Sequence, residues 1–520
     1  MSGELTAADR AQLAARGIDP AEAERQLRLL REPPPRLRVL RPCTVGDGIR
    51  RLDAREQEAM REACRAAVAG GGAVKLVPAS GAATRMFSSL LGLLEESPFP
   101  TPADLSRRAA AGDPAARDLE RLWRELPRFP FFDELAAVCA ARGTSLPELR
   151  ERRDGRALLR RLLTDAGLDL ASLPKGLVPF HRYPSGSRTA VEEHLWEAST
   201  YIADAEGVCR CHFTVAADAE PRFAAELEGA ADRLLRARGV VAEVGFSRQD
   251  PATDTLAVTP EGEPFRQDDG TLLLRPGGHG ALLGNLAALP ARWALLKNVD
   301  NVRPERAHEV VGHWQEVLGG VLVSLERRAH EQLRRLRAAA TDEAVAEAAR
   351  FLADDLGVPL DEGAAGPGAS RLREVLVDRL HRPLRVCGVV ENLGEPGGGP
   401  FWAAHGADAA SPQIVERAEL DDDPAQAEVF AGASHFNPVA IAAGLRDADD
   451  RPFDFARFVD ERAVFIARKS HAHRPLLALE HPGLWNGAMA GWNTVFVEVP
   501  AETFAPVKTV FDLLRPEHQP

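Results

Sequence analysis

No stretch of the 520-residue sequence is continuously apolar over the roughly 18 to 20 residues that a membrane-spanning helix requires, although 45% of its residues are apolar. The first six residues are polar and acidic, and they lack the basic start and apolar stretch of a secretory signal. These absences argue against a membrane-spanning protein and against an exported one. We therefore expect a soluble, cytoplasmic protein that binds no membrane.

Cysteine is scarce, and basic residues are outnumbered by acidic ones. Among six cysteines only Cys209 and Cys211 lie close together, at a spacing too short for the usual zinc pattern. We interpret all six as reduced thiols. The net charge of −13 disfavours nonspecific binding to nucleic acid, which requires a basic face that displaces counterions from phosphates. A small or sugar-like ligand fits this composition better.

Lysine and asparagine are also rare. Only five of the 64 basic residues are lysine and the other 59 are arginine, a bias typical of genome composition. Each remaining lysine therefore marks a position where a compact ammonium is needed rather than a planar guanidinium, unless the small count is chance. All seven asparagines lie in the second half of the chain, several of them within motif-like segments. The five lysines are Lys75, Lys175, Lys297, Lys469 and Lys508.

Alternating strand and helix patterns predict the α/β class: a Rossmann-like, mixed but mostly parallel sheet flanked by helices, with helical insertions. The alternation is clearest over residues 171–320, and no internal repeat is visible. We expect three regions: an N-terminal helical region at 1–70, a core at 71–385 with helical insertions at about 88–170 and 321–382, and a C-terminal part of the core with a sugar-binding region at 386–520.

A small-residue loop at 80–85 follows the apolar strand-like run 73–78 and precedes a leucine-rich segment of helical pattern. The main-chain N–H groups near Gly81 and Thr84, at the positive end of the helix, would face an anion. Arg85 would add a bidentate phosphate contact. A tight strand-to-helix turn without a ligand is the alternative.

Two further charged residues occupy positions suited to phosphate chemistry. Lys175 lies between Pro174 and Gly176, where it would neutralise a phosphate or, alternatively, be an exposed turn lysine. Asp300 ends an apolar strand-like run, and open α/β sheets bind ligands at the carboxyl ends of strands. A carboxylate oxygen suits Mg²⁺, so Asp300 is our metal candidate, with a simple strand-end turn as the alternative.

Glycine-rich segments suggest where a base and a sugar pack. His279 is surrounded by three glycines, including Gly278, which would let a ligand approach the main chain closely; a hairpin with a surface histidine is the alternative. The last quarter combines glycine-rich turns with Trp and Asn, a composition that fits a sugar site. Tryptophans are nevertheless more often core residues than ligand contacts.

Taken in chain order, these segments resemble the eukaryotic-type UDP-sugar and UDP-N-acetylhexosamine pyrophosphorylases. That family has a glycine-rich loop ending in Gly-Thr-Arg, then Pro-Lys-Gly, Phe-x-Gln, Gly-x-Gly, Val-Asp-Asn, a Val-Glu-Tyr-Ser-Glu-like strand and a late Pro-Val-Lys or Pro-Leu-Lys. The whole chain also resembles a bacterial family known only as a domain of unknown function. The corresponding segments here are 81–85, 174–176, 246–249, 278–280, 299–301, 415–419 and 506–508.

The resemblance implies a nucleotide-diphospho-sugar transferase fold and a role for each matching residue. Arg85, Lys175 and Lys508 would be catalytic, and Asp300 would bind the metal. The triphosphate would be held by Gly81, Thr84, Arg85 and Lys175, the nucleotide further by Gln249, Gly278 and His279, and the sugar by Glu416 and Asn437, with Asn437 as an alternative second metal contact.

Two features depart from the family pattern. Ala79 and Ser80 replace the usual Gly-Gly at the start of the first loop, which bears on the geometry of triphosphate binding. About 90 residues separate this loop from Pro174, far more than the family needs. The insertion implies a cap or an altered specificity element.

The function we expect is nucleotidyl transfer from a nucleoside triphosphate to a sugar 1-phosphate, with Mg²⁺ as cofactor and release of pyrophosphate. An inactive sugar-nucleotide sensor with the same fold is one alternative, motivated by the altered first loop. Transfer to another phosphorylated acceptor is a second.

Overall fold

The computed structural model describes residues 5–339, 341–358, 369–392, 394, 397–404, 410–421 and 423–520. The chain forms two compact units, each assembled from three segments of sequence. Unit 1 comprises Met1–Leu76, Ser247–Leu296 and His313–Ala501, and unit 2 comprises Val77–Phe246, Lys297–Gly312 and Glu502–Pro520.

Unit 1 contains all or most of eight helices and fourteen strands within its described residues. The helices are α1 (Ala7–Ala15), α2 (Pro20–Arg31), α3 (Ala54–Ala69), α12 (Leu283–Ala287), α13 (His308–Ala338), α14 (Asp342–Arg350), α15 (Ala369–Leu380) and α16 (Pro424–Ala431). The strands are β1 (Arg38–Pro42), β2 (Thr44–Val45), β3 (Gly48–Arg50), β4 (Ala73–Pro78), β9 (Thr255–Val258), β10 (Leu274–Arg275), β11 (Trp293–Lys297), β12 (Leu384–Glu391), β13 (Gly399–Ala404), β14 (Ser411–Val415), β15 (His435–Gly444), β16 (Phe465–His471), β17 (Arg474–Glu480) and β18 (Asn493–Glu498). The last residues of β4 and of β11 belong to unit 2, and β16 and β17 form one hairpin.

Seven of these strands form the large sheet of unit 1, in the order β2-β3-β18-β12-β15-β11-β4. The neighbours β2–β3, β3–β18, β18–β12 and β11–β4 are parallel, whereas β12 and β15 are antiparallel. All ten residues of β15 are buried, as expected for a strand covered on both faces. Helix α13 packs closely on this sheet, because a Cβ built at Gly388 of β12 would lie 3.1 Å from Cδ1 of Leu318.

A second sheet in unit 1 has the antiparallel order β10-β9-β17-β16 and is covered by α1 and α2. Leu13 and Leu27 of these helices share a core with Leu256 and Leu479 of the strands. Asp19 accepts the N–H of Ala21 at the start of α2, which satisfies a donor that the helix leaves unpaired.

Unit 2 begins with six consecutive helices and then alternates strands and helices. Its helices are α4 (Ser88–Glu95), α5 (Pro102–Ala110), α6 (Pro114–Glu125), α7 (Phe132–Ala141), α8 (Leu146–Glu151), α9 (Gly155–Leu163), α10 (Ala190–Ala198) and α11 (Glu220–Ala230). Its strands are β5 (Pro179–Tyr183), β6 (Gly186–Thr189), β7 (Val208–Thr214) and β8 (Val241–Ser247). β5 and β6 form an antiparallel hairpin directly before α10.

The architecture confirms the predicted fold class, a mixed α/β protein with a large, mostly parallel sheet flanked by helices. The helical pattern of residues 88–170 corresponds to α4 through α9. In the ranges that the structure describes, no helix is both long and apolar enough to cross a membrane.

Candidate active site

Three charged side chains of unit 2 meet at a single carboxylate oxygen. The Nζ atom of Lys175 lies 2.8 Å from Oδ2 of Asp300, and the Nζ atom of Lys508 lies 3.0 Å from the same oxygen. Asp300 is 125 residues from Lys175 and 208 residues from Lys508 in sequence. The fold therefore assembles three of the residues that the sequence singled out, and we call them the Asp300 cluster.

Asp300 is held in place by the segment that carries Lys508. β11 ends at Lys297, and the following turn places the backbone of Asp300 and Asn301 beside residues 505–507. The N–H of Val507 donates to the carbonyl of Asp300 (3.0 Å), and the N–H of Ala505 donates to Oδ1 of Asn301 (3.1 Å). These bonds fix Lys508, the next residue along, within reach of the carboxylate.

Lys175 is held by the loop that the sequence predicts to bind phosphate. The N–H of Lys175 donates to the carbonyl of Gly81 (2.9 Å), and the hydroxyl of Thr84 donates to the carbonyl of Ala171 (3.1 Å). The next residue, Gly176, packs so tightly that a Cβ there would lie 2.8 Å from a methyl of Val191. The loop and Lys175 thus form one backbone-linked structure.

Two of the three side chains in the Asp300 cluster are largely buried, and the cluster carries one excess positive charge. The side chains of Lys175 and Asp300 are 14% and 12% exposed, whereas Lys508 is 55% exposed. Burial lowers the pKa of Lys175, and its contact with Asp300 opposes that effect. Burial would raise the pKa of Asp300, but the two ammonium groups outweigh it and hold this pKa below its ordinary value.

The second oxygen of Asp300 has no partner. Oδ1 is buried and receives no hydrogen bond from any described residue. Burying an unpaired carboxylate oxygen is costly, so this atom is suited to a ligand that the protein itself does not supply. A cation at Oδ1 and an anion at the two ammonium groups would both be stabilised.

The donor chemistry fits the Mg²⁺ that the sequence analysis assigns to Asp300. A carboxylate oxygen is a hard ligand, and Mg²⁺ takes one or two carboxylates while sharing the rest of its shell with water and substrate phosphates. Over the described ranges no group of three or more His, Cys, Asp or Glu side chains is arranged to hold a metal ion. A cation at Asp300 would therefore obtain most of its ligands from the substrate.

The predicted phosphate loop is open to solvent. Gly81, Thr84 and Arg85 are all exposed, and a Cβ built at Gly81 would meet nothing within 4 Å. Residues Ala83–Phe87 form a 3₁₀ turn before α4, and no side chain caps it. The guanidinium of Arg85 makes no hydrogen bond or ion pair with the described residues, so it is available to an anion.

The predicted nucleotide contacts Gln249, Gly278 and His279 belong to unit 1. The ring of His279 stacks on Trp485 at 4.3 Å between centroids, and its Nδ1 accepts the N–H of Leu484 (3.0 Å). Burial lowers the pKa of His279 to about 4, so this ring is neutral at physiological pH. Gly278 has φ of +76°, and Gln249 is half-buried.

Glu416 and Asn437, the predicted sugar contacts, both support the local backbone of unit 1. The carboxylate of Glu416 caps the short turn Arg417–Glu419. Asn437 is buried, donates to the carbonyl of Gly388 (2.7 Å) and accepts the N–H of Val439 (3.0 Å), at an irregularity between β12 and β15. Their roles toward a sugar stay predictions.

The polar face of α10, which the sequence pattern did not predict as functional, lies beside the strand end that carries Asp300. Nζ of Lys297 lies 2.6 Å from Oε2 of Glu197, and both side chains are buried. Nε2 of His194 lies 3.2 Å from the carbonyl of Val299. The signal was present as Val-Glu-Glu-His-Leu-Trp-Glu, four ionisable residues in an otherwise apolar helix, but periodicity alone does not reveal their partners.

A buried histidine pair ties the end of the chain to the β5–β6 hairpin and α10. Nε2 of His181 lies 2.9 Å from Nδ1 of His518, and Nδ1 of His181 lies 3.0 Å from Oε1 of Glu193. The hydroxyl of Tyr183 donates to the same Glu193 oxygen (2.5 Å). This network holds in place the segment Glu502–Pro520, which also carries Lys508.

No curated protein matches the sequence. A uridine diphosphate N-acetylglucosamine pyrophosphorylase from Trypanosoma brucei, solved with an inhibitor, is similar to the chain with a TM-score of 0.48 and 12% identity, over 98% of this chain and 79% of that one. A UDP-glucose pyrophosphorylase from Leishmania major is similar with a TM-score of 0.41 and 14% identity, again over 98% and 79%. The family described as "Domain of unknown function (DUF4301)" matches residues 6–519, and the chain belongs to that family.

Proposed function

We propose that this protein transfers a nucleoside monophosphate from a nucleoside triphosphate to a sugar 1-phosphate and releases pyrophosphate. The observation that carries the proposal is the Asp300 cluster, in which two ammonium groups share one carboxylate oxygen while the other oxygen is buried and unpartnered. Such a site is complementary to a polyanion that arrives with a divalent cation. The order of the pyrophosphorylase-like motifs supports the same reaction.

In the proposed reaction, an oxygen of the sugar phosphate attacks the α-phosphorus of the nucleotide in line with the departing group. A new P–O bond forms, the bond between the α-phosphorus and the bridging oxygen to the β-phosphorus breaks, and that oxygen leaves with pyrophosphate. The nucleophile is already an anion, so no general base is required. Charge neutralisation and positioning carry the catalysis.

The residues of the cluster have separate roles in this scheme. Lys175, backbone-linked to the Gly81 loop, neutralises the triphosphate, and Lys508 contacts the phosphates of the sugar phosphate or of the product. Asp300 would hold Mg²⁺ through Oδ1, and bound Mg²⁺ supplies charge stabilisation at the phosphoryl oxygens. Arg85 contributes a bidentate contact to the outer phosphates.

We place this reaction in the cytoplasm, where nucleoside triphosphates and sugar phosphates are present together. All six cysteines are buried and none forms a disulfide, as expected for a reducing compartment. The partners of the protein are then its small substrates, with neither nucleic acid nor a membrane involved.

The direct test is pyrophosphate release from a panel of nucleoside triphosphates and sugar 1-phosphates in the presence of Mg²⁺. We expect release that requires one particular pair and stops when EDTA is added. Nucleotide binding without release across the panel would instead support a sugar-nucleotide sensor. Release with a phosphorylated polyol or amino-sugar derivative, and with no sugar 1-phosphate, would identify a different acceptor.

Asp300→Asn tests the assignment of residues. The substitution keeps the shape of the side chain but removes its charge, and we expect turnover to fall on the order of 10²- to 10³-fold, as for other groups that stabilise transition-state charge. Asp133→Asn is the matched control, because Asp133 is an exposed carboxylate of unit 2 that pairs with Arg182 at the surface. Equal activity of the two variants would rule out the role given to Asp300.

A further inference from the structure

The helical segment of unit 2 contains an open cavity of about 390 Å³ that shares no residue with the Asp300 cluster. Cavities of about 300 to 1,000 Å³ are typical of small-molecule sites. This cavity lies among α5, α6 and the end of α8. It is lined by Pro102, Leu105, Ser106, Ala116, Leu119, Glu120, Trp123, Arg124, Arg150 and Arg153.

One wall of the cavity is apolar and aromatic. Leu105 and Leu119 are buried and form its base. Trp123, one turn after Leu119 on α6, is half-buried, and no aromatic ring or cation stacks on its indole among the described residues. A large aromatic face beside an apolar base is therefore available to a planar group.

Three arginines form the rim, and only one lining residue is acidic. Arg124 pairs with its neighbour Glu125, and Nη1 of Arg153 lies 3.3 Å from the hydroxyl of Ser106. The guanidinium of Arg150 makes no hydrogen bond or ion pair with any residue that the structure describes. Because Glu120 is the only carboxylate in the lining, the cavity has an excess of positive charge.

We propose that this cavity binds a nucleotide, with the base stacked on Trp123 and the phosphates bound by Arg150 and Arg153. An aromatic face and guanidinium groups together recognise a planar ring joined to an anion. The chemistry alone would also suit single-stranded nucleic acid. The cavity volume of about 390 Å³ is in the range of sites for one small molecule, however, and the net charge of −13 opposes the approach of a polyanionic strand.

This site is separate from the nucleotide site of the proposed function. It lies wholly within the helical insertion, where the chain departs from the pyrophosphorylase pattern. The site predicts one equivalent of bound nucleotide whether or not the Asp300 cluster is catalytic. If both proposals are correct, the full-length protein binds two equivalents.

Equilibrium dialysis of the full-length protein with radiolabelled ATP and UTP measures this directly. We expect two equivalents for the unmodified chain, or one if the Asp300 cluster binds no nucleotide. In either case Trp123→Ala and Arg150→Gln should each raise the dissociation constant of one bound nucleotide by about tenfold or more, in keeping with the strength of base stacking. Arg152→Gln is the control, since Arg152 is exposed, adjacent and absent from the lining.

Two outcomes would overturn the proposal. One is unchanged stoichiometry and affinity in both variants. The other is displacement of the label by a single-stranded oligonucleotide at much lower concentration than by the mononucleotide. If Trp123→Ala does not fold, Trp123→Leu and the surface variant Arg150→Gln still decide the question, because neither removes the apolar packing on α6.

Discussion

At the scale of single residues, the scarcity of lysine corresponds to a chemical requirement. Lys175 and Lys508 approach one carboxylate oxygen within 3.0 Å, which two planar guanidinium groups could hardly do together. Lys297 and Lys469 also bind carboxylates, those of Glu197 and Glu480, at 2.6 Å each. Four of the five lysines thus occupy close, specific ion pairs.

Gly81 allows the phosphate loop to be tested without disturbing the fold. A methyl group at this position would meet no protein atom within 4 Å, so Gly81→Ala should leave the thermal midpoint unchanged. If the main chain of the loop contacts the triphosphate closely, the same methyl group should raise the KM for the nucleotide by about tenfold, equivalent to about 1.4 kcal/mol.

The measurement is a pair of steady-state titrations, one for each substrate. Gly143→Ala is not a suitable control, because Gly143 has a positive φ; Gly92→Ala, on open helix surface, is suitable. An unchanged KM for Gly81→Ala would mean that the nucleotide does not approach this loop.

At the scale of secondary-structure elements, α10 supports the strand end on which Asp300 depends. Glu197 pairs with Lys297, the last residue of β11, and His194 contacts the carbonyl of Val299. Removing one member of a buried ion pair leaves an uncompensated charge and typically costs about 3–5 kcal/mol, whereas replacing both members is far less costly.

We therefore expect Lys297→Met to lower the thermal midpoint strongly and Lys297→Met combined with Glu197→Leu to recover most of the loss. Differential scanning calorimetry would measure both variants beside the unmodified chain. If the double variant is stable yet shows reduced turnover, α10 also positions Asp300. A double variant as unstable as the single one would contradict the pairing.

The sequence predicted the elements better than their contacts. The apolar run before Asp300 and the segment before Gly81 indicated strand ends because these patterns are local. Asp300 is separated in sequence from Lys175 by 125 residues and from Lys508 by 208 residues. No local sequence pattern encodes which distant segments come into contact. Asn437 shows the same limit. Its position in a motif suggested a ligand contact, whereas its side-chain amide hydrogen-bonds the main chain at an irregularity between β12 and β15.

At the scale of the whole molecule, buried ionisable groups predict how stability depends on pH. Burial raises the pKa of Glu193 and Glu326 to about 7 and that of Glu419 to about 8. Because the folded chain holds these protons and the unfolded chain releases them near pH 4.3, their contribution is present at low pH and lost as the pH rises through about 7–8.

Buried histidines act in the opposite direction on the acid side. Burial lowers the pKa of His181 and His518 to about 3 and that of His279 and His308 to about 4. The unfolded chain binds these protons below about pH 6.5, so stability falls as the pH decreases through that window. The carboxyl groups partly offset this loss above about pH 4.3.

The thermal midpoint should therefore be highest between about pH 5 and 7 and decline on both sides. Scanning calorimetry from pH 4 to 9 measures the profile. Glu419→Gln should flatten the alkaline side, since the amide cannot ionise, and should steepen the acid side above about pH 4.3, where Glu419 offsets part of the histidine effect. A midpoint that rises steadily from pH 6 to 9 would contradict the prediction.

The shared oxygen of Asp300 also bears on the order in which ligands enter. With two ammonium groups against one carboxylate, the cluster already carries one excess positive charge, and a free dication arriving first would raise that excess to three. A chelate of the dication with a triphosphate instead brings a net negative charge. The cation should therefore enter as part of the nucleotide complex, and an excess of free Mg²⁺ should slow rather than speed turnover.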